Sequence, residues 1–179
     1  MEGCCLLVVA NDREESAHHR LGLGCIETRH GDAVELASEA PELLGQFDAL
    51  LIDAPCSGLG TLARHADARW RIDPAAIEGL VTLQRQLLEG LLPLLKPAGR
   101  LVYATCTVHP EENGELLEAF LKDHPQLRLE QSFQLWPGQL DGGGDGFVAA
   151  RIAKTEGVGG ACGAGALRRL SSRSKRQST

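Results

Sequence analysis

The sequence predicts an α/β fold of the doubly wound kind, a largely parallel sheet covered by helices. Three observations lead there. Short continuous apolar runs bounded by turn residues recur along the chain and suit strands buried on both faces. A long amphipathic helical pattern separates the third run from the fourth. Acids and thiols follow the runs, at the strand ends where sheets of this kind bind ligands.

The elements follow in order. Cys4 to Ala10 reads as a first strand, Ile26 to Gly31 as a second, Phe47 to Ile52 as a third and Leu101 to Ala104 as a fourth. Leu127 to Glu130 and Phe147 to Ile152 carry the pattern less fully. Between the third and fourth, Ile77, Leu80, Val81, Leu87, Leu88, Leu91 and Leu95 form one helical stripe. Asp73 is placed to cap that helix and Pro74 to open it, and Lys96-Pro97-Ala98-Gly99 stops it. A second helix is expected from about Pro110, with Glu111 and Glu112 in its first turn, where the helix dipole favours acids. Leu116, Leu117, Phe120 and Leu121 give it a buried face, and His124-Pro125 ends it. Asp141 to Gly146 reads as a flexible loop.

The 179 residues suffice for one domain. Aromatics are only 4%, so the core rests on Leu, Val, Ile and Ala. No stretch is long and apolar enough to span a membrane, and the start lacks the basic region of a secretory signal. The six cysteines therefore read as reduced thiols of an intracellular, cytoplasmic protein. None shows zinc-ligand spacing, so no metal is expected. The net charge is −6, yet the last thirteen residues carry +5, leaving −11 on the rest. Residues 155–179, rich in Gly, Ser and Arg, read as a disordered tail after a domain spanning 1–154.

Candidate chemistry lies after the strands. Asn11-Asp12 follows the first, Gly31-Asp32 the second, Asp53-Ala54-Pro55-Cys56-Ser57-Gly58-Leu59-Gly60 the third, and Thr105-Cys106-Thr107 the fourth. Asp12 suits an acceptor for ribose hydroxyls, and Asp32 a partner for an amino group or for backbone. Each acid equally suits a helix cap. Cys56 and Cys106 at strand ends face a cleft, and Pro55 turns the chain to present Cys56. Small buried hydrophobes are the competing reading for both thiols. Gly58-Leu59-Gly60-Thr61-Leu62-Ala63 matches a dinucleotide fingerprint, but the following Arg64 to Asp73 lacks the apolar stripe of the helix that fingerprint requires.

The run from Asp53 to Arg71, together with Tyr103-Ala104-Thr105-Cys106-Thr107 and Pro110-Glu111-Glu112-Asn113, resembles the Sun family of RNA cytosine-5 methyltransferases, closest to the bacterial type acting on small-subunit ribosomal RNA. Lys96 to Arg100 and Asp145-Gly146-Phe147 extend the likeness, which runs from about Val8 to Ile152. The resemblance implies a Rossmann-like S-adenosylmethionine-dependent methyltransferase fold and methyl transfer to carbon-5 of cytosine. It implies Cys106 as the nucleophile that adds to carbon-6, Cys56 as the second cysteine that assists product release, and Asp53 at the N3 and N4 edge of the base. Asp12, Asp32 and Asp53 would line the S-adenosylmethionine site. Arg64, His65, Arg69, Trp70 and Arg71 form a basic segment with one aromatic, suited to an RNA backbone and a stacked base, or equally an ordinary charged loop.

The resemblance departs in one place. The family carries a strand and a glycine-rich loop before the acid matched here by Asp12, and also an upstream RNA-binding region. Only eleven residues precede Asp12 in this sequence. The expectation is a partial catalytic domain whose sheet lacks the first, central strand, with a break in its hydrogen-bond ladder. The stretch from Glu14 to Gly24 is also shorter than the helix expected there. A chain of this kind is either a methyltransferase or an incomplete piece that binds RNA or a partner without turnover.

Overall fold

The computed structural model describes residues 6–10, 26–70, 73–140 and 143–155. Strands β1 (Leu6–Ala10) and β2 (Ile26–His30) pair in parallel. A separate sheet has the order β3-β4-β6-β5, from β3 (Phe47–Asp53), β4 (Leu95–Thr105), β5 (Leu127–Leu135) and β6 (Phe147–Lys154). The helices are a short α1 (Leu36–Glu39), α2 (Pro74–Leu91) and α3 (Gly114–Asp123). Among the described residues no backbone ladder joins β1–β2 to β3. The stretch Glu14 to Gly24, Asp12 and the tail after Thr155 lie outside the described residues.

Two expectations about the sheet are corrected. It is mixed: β3 and β4 run parallel, but β6 is antiparallel to both β4 and β5. Nor are both its faces covered by the described residues. Ile52, Leu101, Tyr103, Ala150 and Ile152 point into one core, against Leu87 and Leu88 of α2 and Leu116, Leu117 and Phe120 of α3. The alternate positions point away, and Leu51 is 72% exposed. Continuous apolar runs alone do not distinguish a strand covered on both sides from one covered on a single side.

The long helix is capped as the sequence predicts, with Asp73 Oδ1 accepting from Ala76 N at 2.8 Å. It ends at Leu91, four residues earlier than the stripe implied. Pro93 diverts Leu92–Leu94 into a 3₁₀ turn, and Leu95 already belongs to β4. Lys96 to Gly99 then bulges out, with Ala98 at φ 62°, before pairing resumes at Arg100. Helices α2 and α3 are joined by Arg85, which bonds Glu89 at 2.5 Å and Asp123 at 2.8 Å and lies over the Phe120 ring.

The second helix starts later than expected. Residues 110–113 form a turn, and α3 begins at Gly114. Glu112 is therefore not a first-turn acid lying at the surface. It is fully buried, and its surroundings matter for the site.

Candidate active site

The parallel pair β3–β4 delivers two loops side by side. Ala54 N donates to Ala104 O at 2.9 Å, carrying the ladder one step past Asp53. The chain then turns through Pro55, Cys56 and Ser57 to Gly58, which sits at φ 69° in the left-handed region where glycine has no steric penalty. It returns so that Gly60 N donates to Cys106 O at 3.0 Å. Gly146, just before β6, closes the arrangement by donating to Gly60 O at 2.7 Å. Three backbone segments meet at Gly60, and a Cβ there would lie 2.1 Å from Gly146 O and 2.6 Å from Cys106 O. Gly146, expected in a flexible loop, is thus buried and bonded; Asp141 and Gly142 lie outside the described residues.

This closure brings the two thiols together, with Cys56 Sγ and Cys106 Sγ 3.4 Å apart. Both side chains are half-buried. Burial pushes the Cys56 thiol up to about 12, and the neighbouring Cys106 adds to the shift. Cys56 is accordingly protonated at neutral pH and can donate its S–H to the Cys106 sulfur.

Each loop is pinned from behind by the turn that precedes α3. Asn113 holds the Cys106 loop: its Oδ1 accepts from Thr105 Oγ1 at 2.7 Å, and its Nδ2 donates to Thr107 O at 3.2 Å and His109 O at 2.9 Å. Glu112 holds the Cys56 loop, accepting from Ser57 N at 2.9 Å and Ser57 Oγ at 2.5 Å. Ser57 Oγ also lies 2.8 Å from Thr107 Oγ1, which ties the two loops to each other. Buried Tyr103 donates to Glu112 O at 2.8 Å, and burial, followed by the Glu112 charge, raises its pKa. None of these supporting side chains was singled out as a site residue by sequence reasoning. The available signal was Gln84, a polar residue on the apolar stripe of α2.

The remaining candidates are dispersed. Asp53 ends β3 with its side chain exposed, one strand from Cys106. Asp32 follows β2 in the other ladder, and its Oδ1 accepts from Val34 N at 2.9 Å, a local turn contact. Arg64 pairs with Asp145, the residue before Gly146, so it is committed to the same closure. His65 is exposed; Arg69 Nε donates to Ala66 O at 2.9 Å; Trp70 is 84% exposed. Arg71 lies outside the described residues. The Gly58 to Ala63 run makes one 3₁₀ turn at Leu59–Thr61, without the helix a dinucleotide site requires. Among the described residues no group of three or more His, Cys, Asp or Glu side chains is placed to hold a metal ion, and no helix is long and apolar enough to cross a membrane.

Residues 8–151 match the family described as 16S rRNA methyltransferase RsmB/F. The chain belongs to that family. The probable ribosomal RNA small subunit methyltransferase B of Synechocystis is 48% identical over 62% of this chain and 24% of its own length. The ribosomal RNA small subunit methyltransferase B of Pasteurella multocida is 40% identical over 69% of this chain and 30% of its own. The chain therefore spans about a quarter to a third of these relatives. Among solved structures, that of PH0851 is 31% identical, with a TM-score of 0.71 over 82% of this chain and 35% of its own. The Rossmann-like methyltransferase class expected from the sequence is thus the class of this domain.

Proposed function

We propose that this domain methylates carbon-5 of a cytosine in small-subunit ribosomal RNA, through a covalent adduct on Cys106. The observation that carries the reading is the 3.4 Å separation of two thiols on adjacent strand-end loops. Carbon-5 of cytosine is a weak nucleophile. Addition of the Cys106 thiolate to carbon-6 breaks the aromatic ring and leaves carbon-5 electron-rich, dividing one hard step into easier ones. Asp53, exposed at the end of β3, meets the N3 and N4 edge, where charge changes during addition. Once the Cys106 sulfur is bonded to carbon, Cys56 loses its sulfur partner and becomes the thiol nearest the adduct. After giving up its own proton to solvent, Cys56 takes the carbon-5 proton as a thiolate; the electrons of that C–H bond restore the carbon-5–carbon-6 double bond, the Cys106–carbon-6 bond breaks and the Cys106 thiolate departs. The base reaches Cys106 only from an unpaired or flipped position. His65, Arg69, Trp70 and Arg71 offer charge and one stacking surface for the strand that carries it.

S-adenosylmethionine is the cofactor of this reading, and when bound it supplies an electrophilic methyl on a sulfonium. The described residues fit it at two strand ends: exposed carboxylates of Asp32 and Asp53 accept hydrogen bonds from amino, hydroxyl and ammonium groups. Asp12, the third carboxylate of this reading, lies outside the described residues. The reaction is placed in the cytoplasm, with its ribosomal substrate.

The test is an incubation of the chain with RNA containing 5-fluorocytosine and S-adenosylmethionine. Fluorine blocks the final proton loss, so a covalent RNA–protein band is expected. It should vanish in Cys106→Ala and persist in Cys56→Ala. A second reading, an RNA-binding piece without turnover, is favoured by the break between β1–β2 and β3. A folded chain that gives no band would establish that reading over the first.

A further inference from the structure

We propose that Glu112 is a positioning residue that sets the spacing of Cys56 and Cys106. The catalytic meaning of that spacing rests on the reading above; the spacing itself does not. Glu112 is 0% exposed, on a turn outside any helix. A buried carboxylate is costly unless donors surround it. This one has three. Ser57 supplies N–H and O–H to its two oxygens, and Gln84 Nε2, from the middle of α2, donates to Oε2 at 3.0 Å.

The Gln84 amide shows how strongly the arrangement is specified. Its Nε2 also donates to Pro55 O at 2.8 Å, so one side chain grips both the residue before Cys56 and the carboxylate behind it. Its Oε1 is buried with no hydrogen-bond partner among the described residues. A flipped amide would turn that oxygen onto two acceptors. The orientation with an orphaned oxygen therefore serves Glu112 and Pro55.

The connections run on to Cys106. Ser57 Oγ–H is directed to Glu112, so the hydrogen between Ser57 and Thr107 comes from Thr107. Thr107 Oγ1 in turn accepts from His109 N at 3.2 Å. Ser57 directly follows Cys56, and Thr107 directly follows Cys106. The carboxylate thus anchors a chain of hydroxyls that spans both loops. Removing it frees Ser57 from its anchor and lets the sulfurs drift apart, while the sheet, held by its own ladder, remains.

The experiment reads the thiol pair without RNA or cofactor, so its outcome is separate from that of the cytosine chemistry. The 179-residue chain is equilibrated with glutathione and glutathione disulfide, quenched by alkylation and mapped by peptide mass spectrometry. The Cys106 thiolate attacks glutathione disulfide and releases one glutathione; Cys56 then displaces the second. The products are a Cys56–Cys106 disulfide and two reduced glutathiones. In Glu112→Gln, the equilibrium constant for this intramolecular disulfide should fall about tenfold, or ~30 mV for the two-electron couple. Asp73→Ala, which loses the α2 cap, should leave it within twofold despite its lower stability. Should Glu112→Gln fail to fold by circular dichroism, Ser57→Ala replaces it, with a fall of at least threefold expected. A constant within twofold of the parent in the folded variant, or a rise, would overturn the proposal.

Discussion

Replacing Gly60 by alanine tests whether three backbone segments converge as described. The added Cβ would meet Gly146 O at 2.1 Å, Cys106 O at 2.6 Å and Gly146 C at 2.7 Å. All three are backbone atoms, so no side chain can swing aside. Relief to a contact of about 3.0 Å needs a shift of about 0.9 Å in one of the segments. That shift breaks or bends two hydrogen bonds, Gly60 N to Cys106 O and Gly146 N to Gly60 O. Each contributes roughly 0.5–1.5 kcal/mol net, and forced overpacking adds about 1–3 kcal/mol. The expected loss is about 2–6 kcal/mol, read as a lower urea midpoint with an unchanged slope. Gly79→Ala is the counterpart. It lies inside α2 with nothing within 4 Å of the new Cβ, so it should stabilise by about 0.5–1 kcal/mol. Equal midpoints for Gly60→Ala and the parent chain would refute the convergence of these loops.

Three further outcomes follow from the same geometry. Cys56, with its pKa pushed up to about 12, should be alkylated by iodoacetamide at a rate that rises tenfold per pH unit from 7 to 10; a plateau near pH 8.5, where an ordinary thiol ionises, would contradict the burial. Because folding favours the protonated Cys56 and Tyr103, stability is full below the unfolded pKa values and falls as pH rises towards 12, so the urea midpoint at pH 10.5 should lie below that at pH 8. Leu51→Ser should change the unfolding free energy by no more than about 0.5 kcal/mol, whereas Ile52→Ala on the covered face should cost about 2–5 kcal/mol; equal losses would place Leu51 under cover.

The parts of the fold legible in the sequence are those set by local rules. Strand β3, the Asp73 cap and the His124 stop of α3 each rest on a few consecutive residues, and they stand where the sequence puts them. The two cysteines were legible for another reason, since strand-end residues of a parallel pair must share an edge. The end of α2 was misjudged because Leu92, Leu94 and Leu95 stay buried after the helix has stopped, so apolar periodicity outlasts helical geometry. Among the described residues Ile52 is covered and Leu51 is not, a difference the sequence does not carry because the two are equally apolar and only the tertiary structure separates their faces.

Glu112 marks the limit of local reasoning. Two consecutive glutamates after a proline satisfy every rule for a first helical turn, and Glu111 does remain exposed. What moves Glu112 inward is the set of donors waiting there, contributed by Ser57 from fifty-five residues away and Gln84 from twenty-eight. No window along the chain contains them together.

The same supports separate two halves of the chemistry. Cys56 and Cys106 are held by β3, β4, α2, the turn before α3 and Gly146 at the start of β6, all within or packed on the four-stranded sheet. Among the described residues, no contact that places them comes from β1 or β2. Asp32, by contrast, follows β2, in a ladder with no backbone bond to β3 among the described residues. On the proposed reading, thiol addition to cytosine would draw on one continuous hydrogen-bonded unit, whereas the proposed carboxylate partners of the cofactor would be divided between two. On that reading, a perturbation at the edge of β3 that no described strand covers would reach cofactor affinity first and leave the geometry of the cysteine pair intact.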